Sequence, residues 1–118
     1  MNIDAILVVD DSDEDQFLNQ MIISEYDDSI TVHQALDGQQ ALDLIRDGLQ
    51  IDLILLDINM PLLDGFGFLD QYTAGNPDPG TVVVMLSSSG QTGDIKKARS
   101  YACVRDYILK PLSVETLE

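Results

Sequence analysis

Apolar residues along the chain fall into five short runs, separated by stretches whose apolar positions recur at helical spacing. The first run, Ala5 to Val9 (AILVV), is rich in aliphatic residues and stops at Asp10-Asp11, the pattern of a strand buried on both faces. Ser12 with Asp15 three residues on reads as a capping signal. Phe17, Leu18, Met21, Ile22 and Tyr26 then follow at intervals that predict a helix from about Asp13 to Tyr26. Ile30 to Ala35 alternates weakly as a second strand, and Gly38 opens a segment in which Ala41, Leu42, Ile45 and Leu49 repeat as on a helix.

Asp52 to Leu56 is the third strand, and beyond Pro61 the chain predicts a short helix through Phe66, Leu69 and Tyr72. The cluster GNPDPG over 75–80 ends it as a loop. Thr81 to Leu86 (TVVVML) is the most strand-like segment; a polar SSSGQTG stretch and a helix around Ile95 to Tyr101 come next. Tyr107 to Leu109 makes a short fifth strand ahead of Lys110-Pro111. Ser113 to Glu118 begins a helix with no room to finish, so a truncated last helix is expected, which leaves open whether the chain stands alone or is a fragment of something longer. Strands alternating with helices in this way imply an α/β fold, with a doubly wound parallel sheet, right-handed crossovers and helices on both faces.

At 118 residues, 45% of them hydrophobic and 23% charged, one globular domain with one core is expected over 1–118. Six Lys and Arg stand against 21 Asp and Glu, a net charge of −15, which argues against direct binding of nucleic acid or of anionic membrane surfaces. A single cysteine, Cys103, leaves no internal disulfide, and neither a signal segment nor a long apolar run is evident; a soluble protein in a reducing, cytoplasmic setting is expected.

Ligand sites in such sheets form beyond the carboxyl ends of the strands. Here the first strand ends in Asp10-Asp11, the third in Asp57, the fourth in Ser87, and the fifth is followed by Lys110. Three carboxylates at one edge repel each other and call for a cation. All are hard oxygen donors with no His or Cys nearby, which favours Mg²⁺. Lys110 and the Ser87 hydroxyl would then serve an anion, and the set as a whole suits phosphoryl transfer to a carboxylate.

The sequences VVDDS (Asp10, Asp11), LLDINMPLLDG (Asp57, Asn59, Pro61, Gly65), VVMLSS (Ser87) and DYILKPL (Tyr107, Lys110, Pro111) together resemble a response regulator receiver domain of the chemotaxis-regulator type, over essentially the whole chain. The resemblance implies a flavodoxin-like (βα)5 fold of strand order 2-1-3-4-5. It also implies that Asp57 takes a phosphoryl group from a partner's phosphohistidine. Asp11, Asp57 and the backbone carbonyl of Asn59 would hold Mg²⁺, with Asp10 acting through a water. Lys110 would pair with Asp57 and then with the phosphate, ahead of a cis Lys110-Pro111 bond, while Pro61 and Gly65 shape the turn after the acceptor. Ser87 and Tyr107 would switch the surface formed by the fourth helix, fifth strand and fifth helix.

The partners implied are a sensor histidine kinase or phosphotransfer protein and an output protein or attached output domain, with phosphorylation-dependent dimerisation left open. No enzymatic activity beyond self-phosphorylation and self-dephosphorylation is implied. Asn59 and Ser89, small and uncharged, imply moderate to fast self-dephosphorylation.

Two alternatives stand beside this. A Mg²⁺ phosphohydrolase of the haloacid dehalogenase type also uses an aspartyl nucleophile, but carries a second acid where this chain has Asn59. A pseudo-receiver would keep the fold and never carry phosphate. Ser88, and Cys103-Val104 in place of a commoner Gly-Ala, depart from the family pattern. His33 reads as a solvent-facing strand residue, Cys103 as a small buried one, and Asp13, Glu14, Asp15, Glu25, Asp27 and Asp28 as a solvated face.

Overall fold

A computed structural model describes residues 3–75 and 80–117. The order is β1 (Ala5–Val9), α1 (Asp13–Tyr26), β2 (Thr31–Ala35), α2 (Gly38–Arg46), β3 (Leu53–Leu56), α3 (Gly65–Ala74), β4 (Val82–Ser87), α4 (Thr92–Arg99), β5 (Val104–Leu109) and α5 (Val114–Leu117). All strand pairs are parallel, and the sheet order is β2-β1-β3-β4-β5, as the resemblance implies. Most of the loop predicted over 75–80, and Glu118, lie outside the described residues.

Alternation along the central strands sorts their side chains onto two faces. Leu7, Val9, Ile54, Leu56, Val83 and Met85 pack with Ala41, Phe68 and Leu69 beneath α2 and α3, with Ala98 of α4 in the same cluster. Ile6, Val8, Leu53, Leu55 and Leu86 pack on the other face with Ile23 of α1 and Leu112. Because β1 and β3 are covered on both sides, their sequences are continuous apolar runs.

Several expectations shift. Asp52 is not a strand residue: its carboxylate accepts the Asp4 and Ala5 amides at 2.8 and 3.0 Å, closing off the start of β1. Strand β5 begins three residues earlier than predicted, at Val104, because its polar Arg105 and Asp106 lie exposed and hide the strand from an apolar count. Helix α4 runs from Thr92 to Arg99 rather than from Ile95 to Tyr101; its first turn is polar and Ala98 is its buried residue.

The largest correction concerns α1. Ser12 caps it as predicted, accepting from the Asp15 amide at 3.2 Å, but Phe17, Leu18 and Met21 are 64%, 52% and 54% exposed. The buried residues are Gln16, Asn19 and Ile23. Gln16 can be buried because its Nε2 donates to the carbonyls of Val8, Asp10 and Ala35, each at 3.0 Å, tying the ends of β1 and β2 to the helix.

Candidate functional site

Each site residue lies at or one step past a strand end, fixed there by a backbone bond that extends the ladder. Asp10 N–H donates to Ala35 O at 3.0 Å, Asp57 N–H to Val9 O at 3.0 Å, and Lys110 N–H to Ser87 O at 2.9 Å. The sheet thus delivers Asp10, Asp57, Ser87 and Lys110 to one edge, and Asp11 joins the first two with carboxylate oxygens lying within 4.8 Å of one another. Asp10 and Asp57 are buried, while Asp11 is exposed and leaves the group open to solvent.

Lys110 Nζ lies 2.8 Å from Asp10 Oδ2, 3.2 Å from Asp57 Oδ2 and 2.6 Å from Asp15 Oδ2. Burial of the amine opposes its charge. Hydrogen bonds to Asp10 and Asp15, with the fields of Asp57 and Asp10, outweigh burial and hold its pKa well above the ordinary lysine value. Asp15 belongs to this cluster and not to the solvated face expected from its acidic neighbours in sequence. Its one sequence signal was its place on the first turn of α1, four residues after Asp11.

Burial pushes the Asp10 carboxyl up, against the opposing bonds from Lys110 and the Ser12 amide. A carboxyl held above its unfolded value of 3.8 favours the fold fully below that pH, and the contribution is lost as pH rises through the folded value. At neutral pH the ionised Asp10 therefore destabilises the fold. Asp10→Asn, which can still accept from Ser12, is expected to stabilise it by about 1 kcal/mol, or roughly 3–6 °C at pH 7. Thermal unfolding of both forms checks this, and the gap should shrink as pH falls through the raised folded value and Asp10 gains its proton.

Three hard carboxylate oxygens in one open group are the donor chemistry that a hard divalent cation requires, so the residues fit such an ion. Asn59, two residues past Asp57, is exposed at the same edge. Between it and α3 the chain turns sharply: Leu63 N–H donates to Pro61 O at 2.7 Å, which sets Leu62 at φ 65°. That backbone conformation is uncommon for a bulky residue, and Leu62 is 88% exposed; no sequence pattern marked it. Asp64 ends the turn by capping α3, accepting from the Gly67 amide at 2.8 Å, and Gly65 N–H donates to Ile58 O at 2.8 Å.

Ser87 is fully buried, and its hydroxyl accepts from the Ser89 amide at 3.1 Å. Tyr107, half-buried, donates its hydroxyl to Ser89 O at 2.6 Å. The two residues singled out as a switch thus meet through one loop residue. Ser89 Oγ in turn donates to Asp94 Oδ2 at 2.6 Å, tying this loop to α4. The Lys110-Pro111 bond is cis. His33 is half-buried on the edge strand β2 and not fully solvent-facing. Cys103 is half-buried against the core, and burial pushes its thiol pKa up.

Known proteins place this geometry in context. The family model of the response regulator receiver domain matches residues 6–118. A protein-glutamate methylesterase/protein-glutamine glutaminase of Symbiobacterium thermophilum is 40% identical over 110 residues, covering 90% of this chain and 28% of its own length. A probable C4-dicarboxylate response regulator of Halalkalibacterium halodurans is 32% identical over 113 residues, covering 96% of this chain and 47% of its own. The chain therefore spans less than half the length of these curated relatives.

Among solved structures, a two component response regulator from Cytophaga hutchinsonii superposes with a TM-score of 0.90 at 29% identity, over 99% of this chain and 92% of that one. The Vibrio cholerae chemotaxis protein CheY4 does so with a TM-score of 0.79 at 27% identity, over 98% and 93%. A family match that runs almost end to end, on a sheet of the same winding, leaves one conclusion: the chain belongs to the response regulator receiver domains of two-component signalling.

Proposed function

We propose that Asp57 is the phosphoacceptor of this receiver, taking a phosphoryl group from the phosphohistidine of a sensor histidine kinase or phosphotransfer protein. The observation that carries the reading is the meeting of a buried acceptor carboxylate, two further acids and the Lys110 ammonium at one strand edge. In the transfer the Asp57 carboxylate attacks phosphorus, the P–N bond breaks, and the imidazole leaves with the electron pair. Ile58 N–H holds Asp57 Oδ1 at 2.8 Å and fixes the direction of attack. Lys110 balances charge as it builds on the phosphoryl oxygens.

Mg²⁺ fits the acidic group, held by Asp11, Asp57 and the Asn59 carbonyl, with Asp10 acting through a water; when bound it would neutralise the anions brought together there. Helix α1 supports the donor assignment, because exposed Phe17, Leu18 and Met21 offer an apolar surface on the element that carries Asp15. The output face is α4, β5 and α5. Ser87 would draw towards the phosphoryl oxygens and Tyr107 would follow through their shared contact with Ser89, shifting the population of that face. Four of the six basic residues, Lys96, Lys97, Arg99 and Arg105, lie on α4 and β5, which suits an acidic segment of an output protein or attached domain. The low positive charge elsewhere and the lone cysteine suit work in the cytoplasm.

Incubation with Mg²⁺ and acetyl phosphate tests the acceptor reading: one base-labile phosphoryl group per chain is expected by intact mass, and none with chelator present. Absence of any phosphoryl group on the wild type overturns it. Mg²⁺ alone should raise the thermal midpoint as RT ln(1 + [Mg²⁺]/Kd) requires, by about 1.4 kcal/mol of stability at ten times Kd. The Asp11→Ala variant should lose most of that rise. Calorimetry or tyrosine signals are suitable probes, as the chain has no tryptophan.

A further inference from the structure

We infer that Asp15 is a positioning residue of the site, which withholds Lys110 from the acceptor and thereby slows phosphoryl transfer; the inference rests on the acceptor reading above. A lysine ammonium has three N–H donors and no more. Here it meets three carboxylates, Asp10, Asp15 and Asp57, and the shortest contact, 2.6 Å, is to Asp15, whereas that to Asp57 is the longest at 3.2 Å. Two of these contacts, to Asp15 and to Asp57, are hydrogen bonds donated by Lys110, and the acceptor has the longer of the two.

Asp15 differs from the other two acids in what else can neutralise it. Asp10 and Asp57 belong to the group that can close around a cation, and Asp15 does not. Among the described residues Lys110 is the one ion-pair partner of Asp15. It also sits on the first turn of α1, where the helix dipole favours its charge, with Asp13 and Glu14 beside it. A phosphoryl group arriving at Asp57 brings new anionic oxygens that need Lys110, so Lys110 must give up a bond already made. Neutralising Asp10 and Asp57 by a metal leaves Asp15 as the remaining competitor.

The competition has a definite sign. Charge building on the phosphoryl oxygens in the transition state is stabilised by whatever share of Lys110 is available. A rival carboxylate at 2.6 Å lowers that share, and its own charge also repels the incoming anion. Removing the charge while keeping the shape should therefore speed the reaction.

The experiment follows phosphoryl incorporation from acetyl phosphate, with Mg²⁺ held constant, by intact mass in wild type, Asp15→Asn, Asp15→Glu and Asp13→Asn. Asp13 lies on the same turn, is exposed, and makes no ion pair among the described residues, so it controls for loss of one charge from the helix. Asp15→Asn is expected to react roughly three- to tenfold faster than wild type. Asp13→Asn and Asp15→Glu should stay close to wild type. Urea unfolding of Asp15→Asn, Lys110→Ala and the double variant supplies a readout free of phosphate: the two changes should be non-additive, as expected of a direct pair. Equal or slower incorporation in Asp15→Asn, an equal gain in Asp13→Asn, or strict additivity in unfolding overturns the inference while leaving Asp57 as acceptor. Failure of the wild type to take any phosphoryl group overturns the acceptor reading, and this inference with it.

Discussion

Replacing Asp57 by alanine is expected to abolish phosphoryl incorporation from acetyl phosphate, taking the yield from one group per chain to none. The geometry explains why no neighbour substitutes. Asp10 is 2% exposed, with one oxygen on Lys110 and the other accepting from the Ser12 amide; Asp11 is exposed and has no lysine contact among the described residues. Asp57 has an amide on one oxygen and the lysine facing the other as Asp10 does, but it is held more loosely by Lys110, at 3.2 Å against 2.8 Å, and is the less deeply buried of the two, at 7% against 2% exposed. The fold should tolerate the change, since the substitution removes one of three like charges around Lys110 and leaves the Asp57 amide to Val9 O bond untouched. Intact mass and thermal unfolding measured together check both halves. A phosphorylated Asp57→Ala chain would move the acceptor elsewhere in the acidic group.

Gly65→Ala is expected to be the most damaging small substitution in the chain. A methyl group on Gly65 would run into the carbonyl oxygen of Asp57, and would lie 3.0 Å from Ile58 Cα and 3.2 Å from the Asp57 carbonyl carbon. These are backbone atoms at the end of a strand buried on both faces, so relief has to come from moving Asp57 itself. A loss of about 3 kcal/mol is expected, lowering the thermal midpoint by roughly 10–20 °C. If Asp57 is the phosphoacceptor proposed above, phosphoryl incorporation should fall about a hundredfold, because its carboxylate is displaced by a fraction of an ångström or more. Gly93→Ala is the control: it lies within α4 with open space where its methyl would go, and should be neutral or slightly stabilising. Equal stability of Gly65→Ala and wild type would show that the turn adapts in a way this packing does not allow for.

The contrast between what the sequence revealed and what it hid follows from burial. The central strands β1 and β3 are enclosed on both faces, so AILVV and LILL are apolar throughout and their ends, marked by Asp10 and Asp57, were legible. Parallel winding then placed the strand-end acids and Lys110 together without further information. Strand β5 is half-exposed and mixes Arg105 and Asp106 into its run, so its first three residues were missed. Helix α1 misled in the opposite direction: Phe17, Leu18 and Met21 satisfy helical spacing but form the outer face, and the inner face holds Gln16 and Asn19. Periodicity detects an apolar stripe and cannot say which way it points. Asp15 was hidden for a related reason. An acid on the first turn of a helix is ordinary, and its contact with a lysine 95 positions away belongs to the tertiary fold alone.

The uneven cover of the sheet has a consequence for how the molecule opens. Strands β1 and β3 lie in the middle, buried along almost their whole length, while β5 is an edge strand with exposed positions and α4 rests on Ala98. Free energies of local opening therefore fall from the centre of the sheet towards that edge. Amide hydrogens of Leu7, Val8, Ile54 and Leu55 should exchange with solvent only through global unfolding, and those of α4 through cheap local excursions. Asp57 is set at the end of the strand with the highest opening cost, and the chain of bonds from Lys110 through Ser87 and Ser89 to Asp94 joins it to the helix with the lowest.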